Sequence, residues 1–184
     1  MTSSSFLNID NTFLLIIDVQ EKLWRVMYEK EKLLDNLQRL IRGVLVLGIP
    51  IILTEQYSHG LGPTVSEVTN LLHDIKPIAK LSFSCCGDKN FLKELESLNR
   101  KQVLITGIES HVCVYQTAID LLNSGYEVQA VTECISSRTP ENRKLGLRRM
   151  NRAGAVLTGV EMVLFELLKI AEGEKFKAIS KIIK

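Results

Sequence analysis

The sequence lacks the features that would mark a membrane, exported or nucleic-acid-binding protein. No apolar run reaches the roughly 18 residues that a membrane-spanning helix needs. The first stretch, MTSSSFLNID, has neither the basic start nor the apolar run of a signal peptide. The 23 basic and 21 acidic residues nearly cancel to a net charge of +2, so charge gives no reason to expect nucleic acid or an anionic membrane. We therefore expect a cytoplasmic protein with no nucleic-acid partner and no membrane partner.

Cysteine is scarce, and its spacing forms no recognisable pattern. The chain has four cysteines and no CxxC pair, and the adjacent Cys85 and Cys86 could hardly bridge each other without strain. Sparse thiols in a chain without an export signal favour reduced cysteines. Cys85, Cys86 and Cys134 are interpreted as structural residues, which leaves the role of Cys113 to be explained.

Linkers and internal repeats are also missing, so the chain is predicted to form one domain over residues 1–184. Its 46% of hydrophobic residues are enough for a sizeable core. Residues 1–11 are expected to form an N-terminal extension, and residues 173–184 a C-terminal tail. That tail carries an apolar stripe at helical spacing, which could pack against its own domain or against a neighbouring subunit.

What the sequence does contain is an alternation of short apolar runs and longer segments of helical period. Runs such as TFLLIID and VLITGI are continuous rather than alternating, which is typical of strands buried on both faces. Six such runs are predicted, the weakest being PIAKLSF. The sequence therefore predicts an α/β fold with three layers, in which helices cover a six-stranded, mostly parallel sheet.

Several helix starts can be predicted from capping residues. Asp88 is expected to cap the helix that follows it, and Thr139 before Pro140 is typical of a helix start. Thr158 with Glu161 forms a capping-box pattern ahead of the apolar run EMVLFELLKIA.

Three chemically capable residues lie at or beside predicted strand ends, where ligands bind in parallel α/β sheets. Asp18 closes the first strand, Lys80 lies in the third, and Cys113 lies in the first turn of the helix after the fourth. A helix start and a nearby lysine both favour a thiolate, and a carboxylate could take the thiol proton. Each residue also has an ordinary interpretation, as a small core side chain, a cap or a surface charge.

Motifs around these positions resemble the isochorismatase-like cysteine hydrolases, a family that includes nicotinamidases. LLIIDVQEKLW surrounds Asp18, KLSFSC begins at Lys80, and GIESHVCV contains Cys113. The later SSR and RMNRAGAVLTGVEMVLFEL are similar as well, especially to the branch with GIESHVCV or GIETHVCV. The resemblance extends over residues 13–168 in the same order as in the family.

The resemblance implies a Rossmann-like topology and a division of roles. Asp18 would deprotonate the thiol, Lys80 would lower the thiol pKa and steady the aspartate, and Cys113 would attack an electrophilic carbon. It also implies a cis peptide bond between Ile108 and Glu109, and an oxyanion hole built from the backbone N–H groups of Glu109 and Cys113.

Departures from the family pattern narrow the expected chemistry. Nicotinamidases carry a DxH…H metal site after the second strand, whereas this chain has His59 without that aspartate and His73 in a separate segment. No metal and no cofactor are therefore expected. True isochorismatases lack the nucleophilic cysteine, so Cys113 argues against their reaction.

Three further residues are candidates for the substrate pocket. Trp24 and Tyr57 lie on loops near the expected mouth, although ordinary packing explains either one. His111 stands where many relatives carry aspartate; it could orient substrate or shuttle a proton, or it could simply hydrogen-bond the turn, which we favour.

The sequence thus predicts a metal-independent cysteine hydrolase that acts on a small amide or related acyl compound through a covalent thioester-type intermediate. Its partner would be a small-molecule substrate, and a homo-oligomer is expected because family members commonly assemble. The alternative is a non-catalytic or regulatory domain that uses the same fold for binding or oligomerisation. The identity of the substrate cannot be deduced from the spacing of residues.

Overall fold

The computed structural model describes residues 6–184, whose strands form a single six-stranded sheet. The strands are β1 (Thr12–Ile17), β2 (Ile51–Gln56), β3 (Ile78–Lys80), β4 (Gln102–Ile108), β5 (Glu127–Ser136) and β6 (Val156–Thr158). Their order is β3-β2-β1-β4-β5-β6, and each neighbouring pair runs parallel. The predicted α/β fold is confirmed, with a sheet that is wholly parallel. The chain changes direction across the sheet between β1 and β4, which is the point where such folds bind ligands.

Helices cover both faces of the sheet. They are α1 (Glu21–Trp24), α2 (Lys30–Leu47), α3 (Ser58–Leu61), α4 (Ser66–Thr69), α5 (Lys89–Leu98), α6 (Tyr115–Asn123), α7 (Pro140–Arg152), α8 (Val160–Leu168) and α9 (Gly173–Ile183). One apolar cluster joins the sheet to α2, α8 and α9, and a second joins it to α5, α6 and α7. The structure therefore has three layers.

The central strand β1 shows why its sequence is a continuous apolar run. Leu14 and Ile16 pack into the cluster beneath α2, whereas Leu15 and Ile17 pack into the cluster beneath α5, α6 and α7. Successive side chains of a strand point to opposite faces, so both sets are buried. Burying each such side chain stabilises the fold by about 1.5–3 kcal/mol.

Two of the predicted helix caps are confirmed. The Asp88 carboxylate accepts hydrogen bonds from the backbone N–H groups of Asn90 and Phe91 at 2.8 and 3.1 Å. The Thr139 hydroxyl accepts one from the Asn142 N–H at 3.2 Å. These side chains satisfy helix-start donors that have no partner within the helix.

The predicted capping box at Thr158 and Glu161 is wrong. Thr158 is buried at the end of β6, and its hydroxyl has no partner among the described residues. The cap position is occupied instead by Gly159, and the Glu133 carboxylate accepts the Val160 N–H at 2.6 Å. A side chain from β5 thus satisfies the donor that the local sequence was expected to satisfy.

Both ends of the described chain pack onto the body of the protein. Helix α9 lies against α2, and its Ile179 is fully buried, so the apolar stripe of the tail packs against its own domain. At the other end, the Leu7 N–H donates to the Glu166 carboxylate at 2.7 Å. Residues 1–5 of the predicted N-terminal extension lie outside the described residues. Within residues 6–184, none of the helices combines the length and the apolarity that a membrane crossing requires.

Candidate active site

A buried ion pair lies at the carboxyl end of the sheet. Asp18 follows β1, and Lys80 ends β3 two strands away. The Lys80 Nζ donates to the Asp18 Oδ2 at 2.7 Å, and neither side chain is exposed to solvent. Because a buried charge without its partner is strongly destabilising, each member of this pair depends on the other.

The backbones of β1 and β4 approach each other closely beside Asp18. Gly107 of β4 pairs in register with Ile17, and a Cβ atom at Gly107 would overlap the Ile17 backbone. Its φ of +112° is also one that side chains disfavour, so only glycine fits there. Asp18 itself has a φ of 55°, which turns the chain sharply at the end of β1. Asp18 is thereby placed next to the turn that leads to Cys113.

The Lys80 ammonium is held by four acceptors. Besides Asp18, these are the Gln56 Oε1 at 2.7 Å and the backbone carbonyls of Ser82 and Phe83, each at 3.2 Å. An ammonium has three protons, so every one of them is engaged. Lys80 therefore supplies a positive charge at a fixed position.

A pair of glutamines that the sequence reasoning missed supports Lys80. The Gln56 N–H donates to the Gln20 Oε1 at 2.8 Å, and the Gln20 amide donates to the carbonyls of Gln56 and Gly62 at 3.0 and 2.6 Å. The signal was present in the sequence, because the apolar residues of β2 are followed by three polar ones, Thr54, Glu55 and Gln56, at its carboxyl end.

Cys113 lies in a wide turn rather than in the first turn of an α-helix. Cys113 was expected in the first turn of the helix after β4, whereas residues Ser110–Val114 form a π-helical turn and α6 begins at Tyr115. Such wide turns occur often at functional sites. Cys113 retains 6% of its exposure, so its thiol region is nearly closed to solvent.

Helix α7 packs directly onto this turn. A Cβ atom at Gly146 would lie 2.5 Å from the Ser110 carbonyl oxygen, so the helix touches the turn backbone to backbone. The Ser110 hydroxyl donates to the Arg143 carbonyl at 3.0 Å. The Arg143 guanidinium in turn donates to the carbonyls of Ile135 and Thr132 at 2.8 and 2.6 Å. The turn is thus fixed from the side opposite the sheet.

Electrostatics connect Cys113 to the ion pair. Burial raises the pKa of the Cys113 thiol well above its usual range, and the charge of Asp18 raises it further. Lys80 lowers this pKa, as the resemblance implied, but by less than burial raises it. The surroundings of Cys113 therefore favour its neutral thiol over the thiolate that a helix start and a lysine alone would favour.

The other candidate residues are placed less distinctively. The Ile108–Glu109 peptide bond is cis. The His111 Nδ1 lies 3.0 Å from the hydroxyl of Ser137, which follows β5 and is not part of the turn that carries His111. The Trp24 indole donates to the Lys30 carbonyl at 3.1 Å.

A cavity of about 310 Å³ lies beside Lys80, between the loops that follow β2 and β3. Tyr57, which is half-exposed, lines this cavity together with Lys80. Cys113, Trp24 and His111 are not part of its lining. Of the three predicted pocket residues, the structure therefore brings Tyr57 alone to this cavity.

The arrangement has the groups required for covalent chemistry at a carbonyl carbon. The Asp18 carboxylate can receive the proton of the Cys113 thiol. The fixed Lys80 ammonium can compensate the negative charge as it passes from the carboxylate to the sulfur. In residues 6–184, no three His, Cys, Asp or Glu side chains are grouped as ligands for a metal ion.

Comparison with known proteins agrees with this architecture. The Isochorismatase domain model matches residues 12–162. The secreted isochorismatase effector Isc1 of Phytophthora sojae is 36% identical over 180 residues, which cover 95% of this chain and 85% of that protein. Among solved structures, the MAR1 ribonuclease of Caenorhabditis elegans has a TM-score of 0.91 at 34% identity, over 97% of this chain and 92% of its own.

The fold also occurs in the Escherichia coli YcaC gene product, an octameric hydrolase of unknown specificity. Its TM-score is 0.93 at 24% identity, over 100% of this chain and 91% of that one. The matched domain spans the strands that carry the buried pair and the cysteine turn. This chain belongs to the isochorismatase-like hydrolase family.

Proposed function

We propose that this protein is a metal-independent cysteine hydrolase that cleaves a small amide or related acyl compound. Asp18, Lys80 and Cys113 are its catalytic residues. The observation that carries the proposal is the buried Asp18–Lys80 pair, whose two charges both act on the Cys113 thiol. A binding domain has no use for an ion pair that is costly to bury beside a thiol.

The reaction proceeds in two halves. Asp18 takes the proton of the Cys113 thiol as the sulfur attacks the carbonyl carbon, and the backbone N–H groups of Glu109 and Cys113 bind the oxyanion. Protonated Asp18 then gives this proton to the leaving amine, and a thioester remains on the sulfur. In the second half, Asp18 takes a proton from water, the hydroxide attacks the thioester, and the proton returns to Cys113 as the acid is released.

The raised pKa of the Cys113 thiol supports a coupled rather than a stepwise activation. Because burial holds the pKa of Cys113 high, the thiol transfers its proton when a carbonyl carbon is in position to receive the sulfur. Throughout the first half of the reaction, the Lys80 ammonium stays beside Asp18, whose carboxylate becomes neutral when it takes the thiol proton. Such a thiol is protected from solvent oxidants between turnovers, because the thiolate is the reactive species.

Assembly, location and organisation form part of the same proposal. We infer one domain over residues 1–184 in a cytoplasmic homo-oligomer, with Trp24, Tyr57 and His111 near the substrate. The octameric state of the E. coli YcaC product supports assembly, whereas the P. sojae relative carries the name of a secreted protein. Light scattering of the purified chain and fractionation of cells measure the two properties separately.

RNA hydrolysis is a second candidate, because the C. elegans relative is named a ribonuclease. Helix α7 carries five basic residues and one acidic residue, whereas basic and acidic residues nearly balance over the whole chain, whose net charge is +2. Arg148, Arg149 and Arg152 line one groove on it, which could contact phosphates. The small-molecule reaction is better supported, since a nearly closed Cys113 region suits a small substrate more than a polymer backbone.

A panel of small amides, with an RNA oligonucleotide in parallel, tests these candidates. Intact-protein and peptide mass spectrometry should find an acyl increment on Cys113, and Cys113→Ala should abolish both the adduct and the release of amine. RNA cleavage that persists in Cys113→Ala, without any acyl adduct, would favour the second candidate. Tight binding of an amide without turnover would favour the non-catalytic alternative.

A further inference from the structure

The Asp18 carboxylate is held by a second donor that the catalytic roles leave unexplained. Its Oδ2 accepts from Lys80, and its Oδ1 accepts from the Thr54 hydroxyl at 2.8 Å. Thr54 is fully buried in β2. Donors from two different strands thus hold the carboxylate, and the Cys113 thiol lies within hydrogen-bonding reach of it as well.

Thr54 also fixes the backbone that carries the carboxylate. It pairs in register with Ile17, and its carbonyl accepts the Asp18 N–H at 3.2 Å. Asp18 leaves β1 at a φ of 55°, so this bond lies where the chain departs from the sheet. A single residue therefore holds both the main chain and the side chain of Asp18.

We propose that Thr54 is a positioning residue, whose hydroxyl keeps the Asp18 carboxylate oriented to receive the Cys113 proton. This inference rests on the proposed function. A donor to a carboxylate favours the ionised form, and a fixed Oδ1 restricts rotation of the carboxylate about its side chain. Without the Thr54 hydroxyl, the Asp18 Oδ1 would lose the donor that β2 supplies.

Other titratable groups near Asp18 are few among the described residues. Lys80 faces it from β3, Cys113 from the turn after β4, and Cys85 from the turn Cys85–Gly87. The Cys85 sulfur lies 3.8 Å from the Thr54 hydroxyl oxygen. Burial raises the pKa of Cys85 to about 12, so this thiol stays neutral over the range in which a carboxylate titrates.

The test compares three variants by alkylation of Cys113, which requires no substrate. Thr54→Val removes the hydroxyl, and Thr54→Ser keeps it. Thr106→Val is the matched control, because Thr106 is a buried threonine of β4 whose hydroxyl donates to the Leu15 carbonyl at 2.9 Å. Peptide mass spectrometry follows iodoacetamide labelling of Cys113 between pH 4 and pH 9, and circular dichroism confirms that each variant is folded.

We expect the acid limb of the Cys113 labelling rate, where the rate falls as the pH is lowered, to move to higher pH by about one unit in T54V. At the pH of the wild-type midpoint, this shift gives about a fivefold loss of rate. In T54S and T106V the limb should stay within about 0.3 unit of the wild type, a margin that corresponds to a twofold change in protonation. A role confined to packing would lower the stability of T54V without moving this limb. If T54V does not fold, Thr54→Ala removes the same hydroxyl from a smaller side chain.

Two results would overturn the inference, and they are distinguishable. If the acid limb of T54V coincides with that of the wild type while Cys113 still reacts, Thr54 does not position Asp18. The proposed function would then still stand. A wild-type protein in which Cys113 forms an adduct neither with iodoacetamide nor with any amide of the panel would overturn the proposed function together with this inference.

Discussion

Two buried thiols of this protein, Cys113 and Cys134, lie in regions that differ mainly in their neighbours. Burial raises the pKa of both. Cys134 lies inside β5, where the second influence is the charge of Glu133. Cys113 lies in the turn after β4, within the electrostatic influence of both Asp18 and Lys80. Burial thus raises the thiol pKa in both places, whereas of these two thiols Cys113 alone lies beside a carboxylate and an ammonium that can take part in its proton transfer.

The largest expected effect separates these two thiols directly. Cys113→Ser should lower kcat/KM for the amide substrate by about 10³-fold or more, because the nucleophile is lost. Cys134→Ser should leave kcat/KM within about threefold and lower the free energy of unfolding by about 1–3 kcal/mol, because a hydroxyl is then buried without a partner. Steady-state kinetics and urea unfolding measure the two quantities. Equal losses of activity in both variants would contradict the comparison.

The next effect concerns the pair that distinguishes the Cys113 region. Lys80→Met leaves Asp18 buried without its cation, so the free energy of unfolding should fall by about 3–5 kcal/mol. Activity should fall by about 10²-fold or more, because the carboxylate is no longer held as a base. The combined variant Asp18→Asn with Lys80→Met should regain most of the stability and none of the activity.

A surface pair supplies the control for this prediction. Lys177 and Glu174 form an exposed ion pair at 2.8 Å on α9. Lys177→Met should change the free energy of unfolding by less than about 1 kcal/mol, because exposed pairs contribute little. If urea unfolding gives similar losses of unfolding free energy for Lys80→Met and Lys177→Met, the buried pair contributes no more to stability than the exposed pair does.

The smallest effect concerns how firmly the Cys113 turn is held. Gly146→Ala would press a methyl group against the Ser110 backbone, which should lower stability by about 1–3 kcal/mol and kcat by about tenfold. Gly43→Ala in α2 would meet only the Leu164 side chain, with its nearer methyl groups within 2.6 Å. It should lower stability by a similar amount while leaving kcat unchanged. A loss of kcat in both variants would show that general destabilisation, rather than the turn, controls the rate.

The sequence was sufficient for the parts of the fold that depend on burial and on local capping. The apolar runs of β1 and β4 predicted central strands, since a strand covered on both faces contains no polar alternation. Asp88 and Thr139 predicted helix starts because their side chains satisfy donors a few residues away. Both kinds of prediction rely on interactions that are short-range or nearly independent of topology.

The sequence was insufficient where distant residues decide the outcome. Thr158 became part of β6, and Glu133 from a neighbouring strand took over the cap, which no local pattern could indicate. The π-helical turn around Cys113 depends on its packing against Gly146. The contact of Thr54 with Asp18 depends on the register of β1 and β2, which is set by the whole sheet.

The close approach of Gly107 to the backbone of Ile17 has a consequence for anyone who wishes to redesign this enzyme. Mutant libraries that include position 107 will be populated by misfolded proteins, because any methyl group there separates the two central strands. Diversity is better introduced at the half-exposed ring of Tyr57, which lines the cavity beside Lys80 and sits on no strand. New specificity can thus be sought at the rim of this cavity while the contact between the two central strands is left as it is.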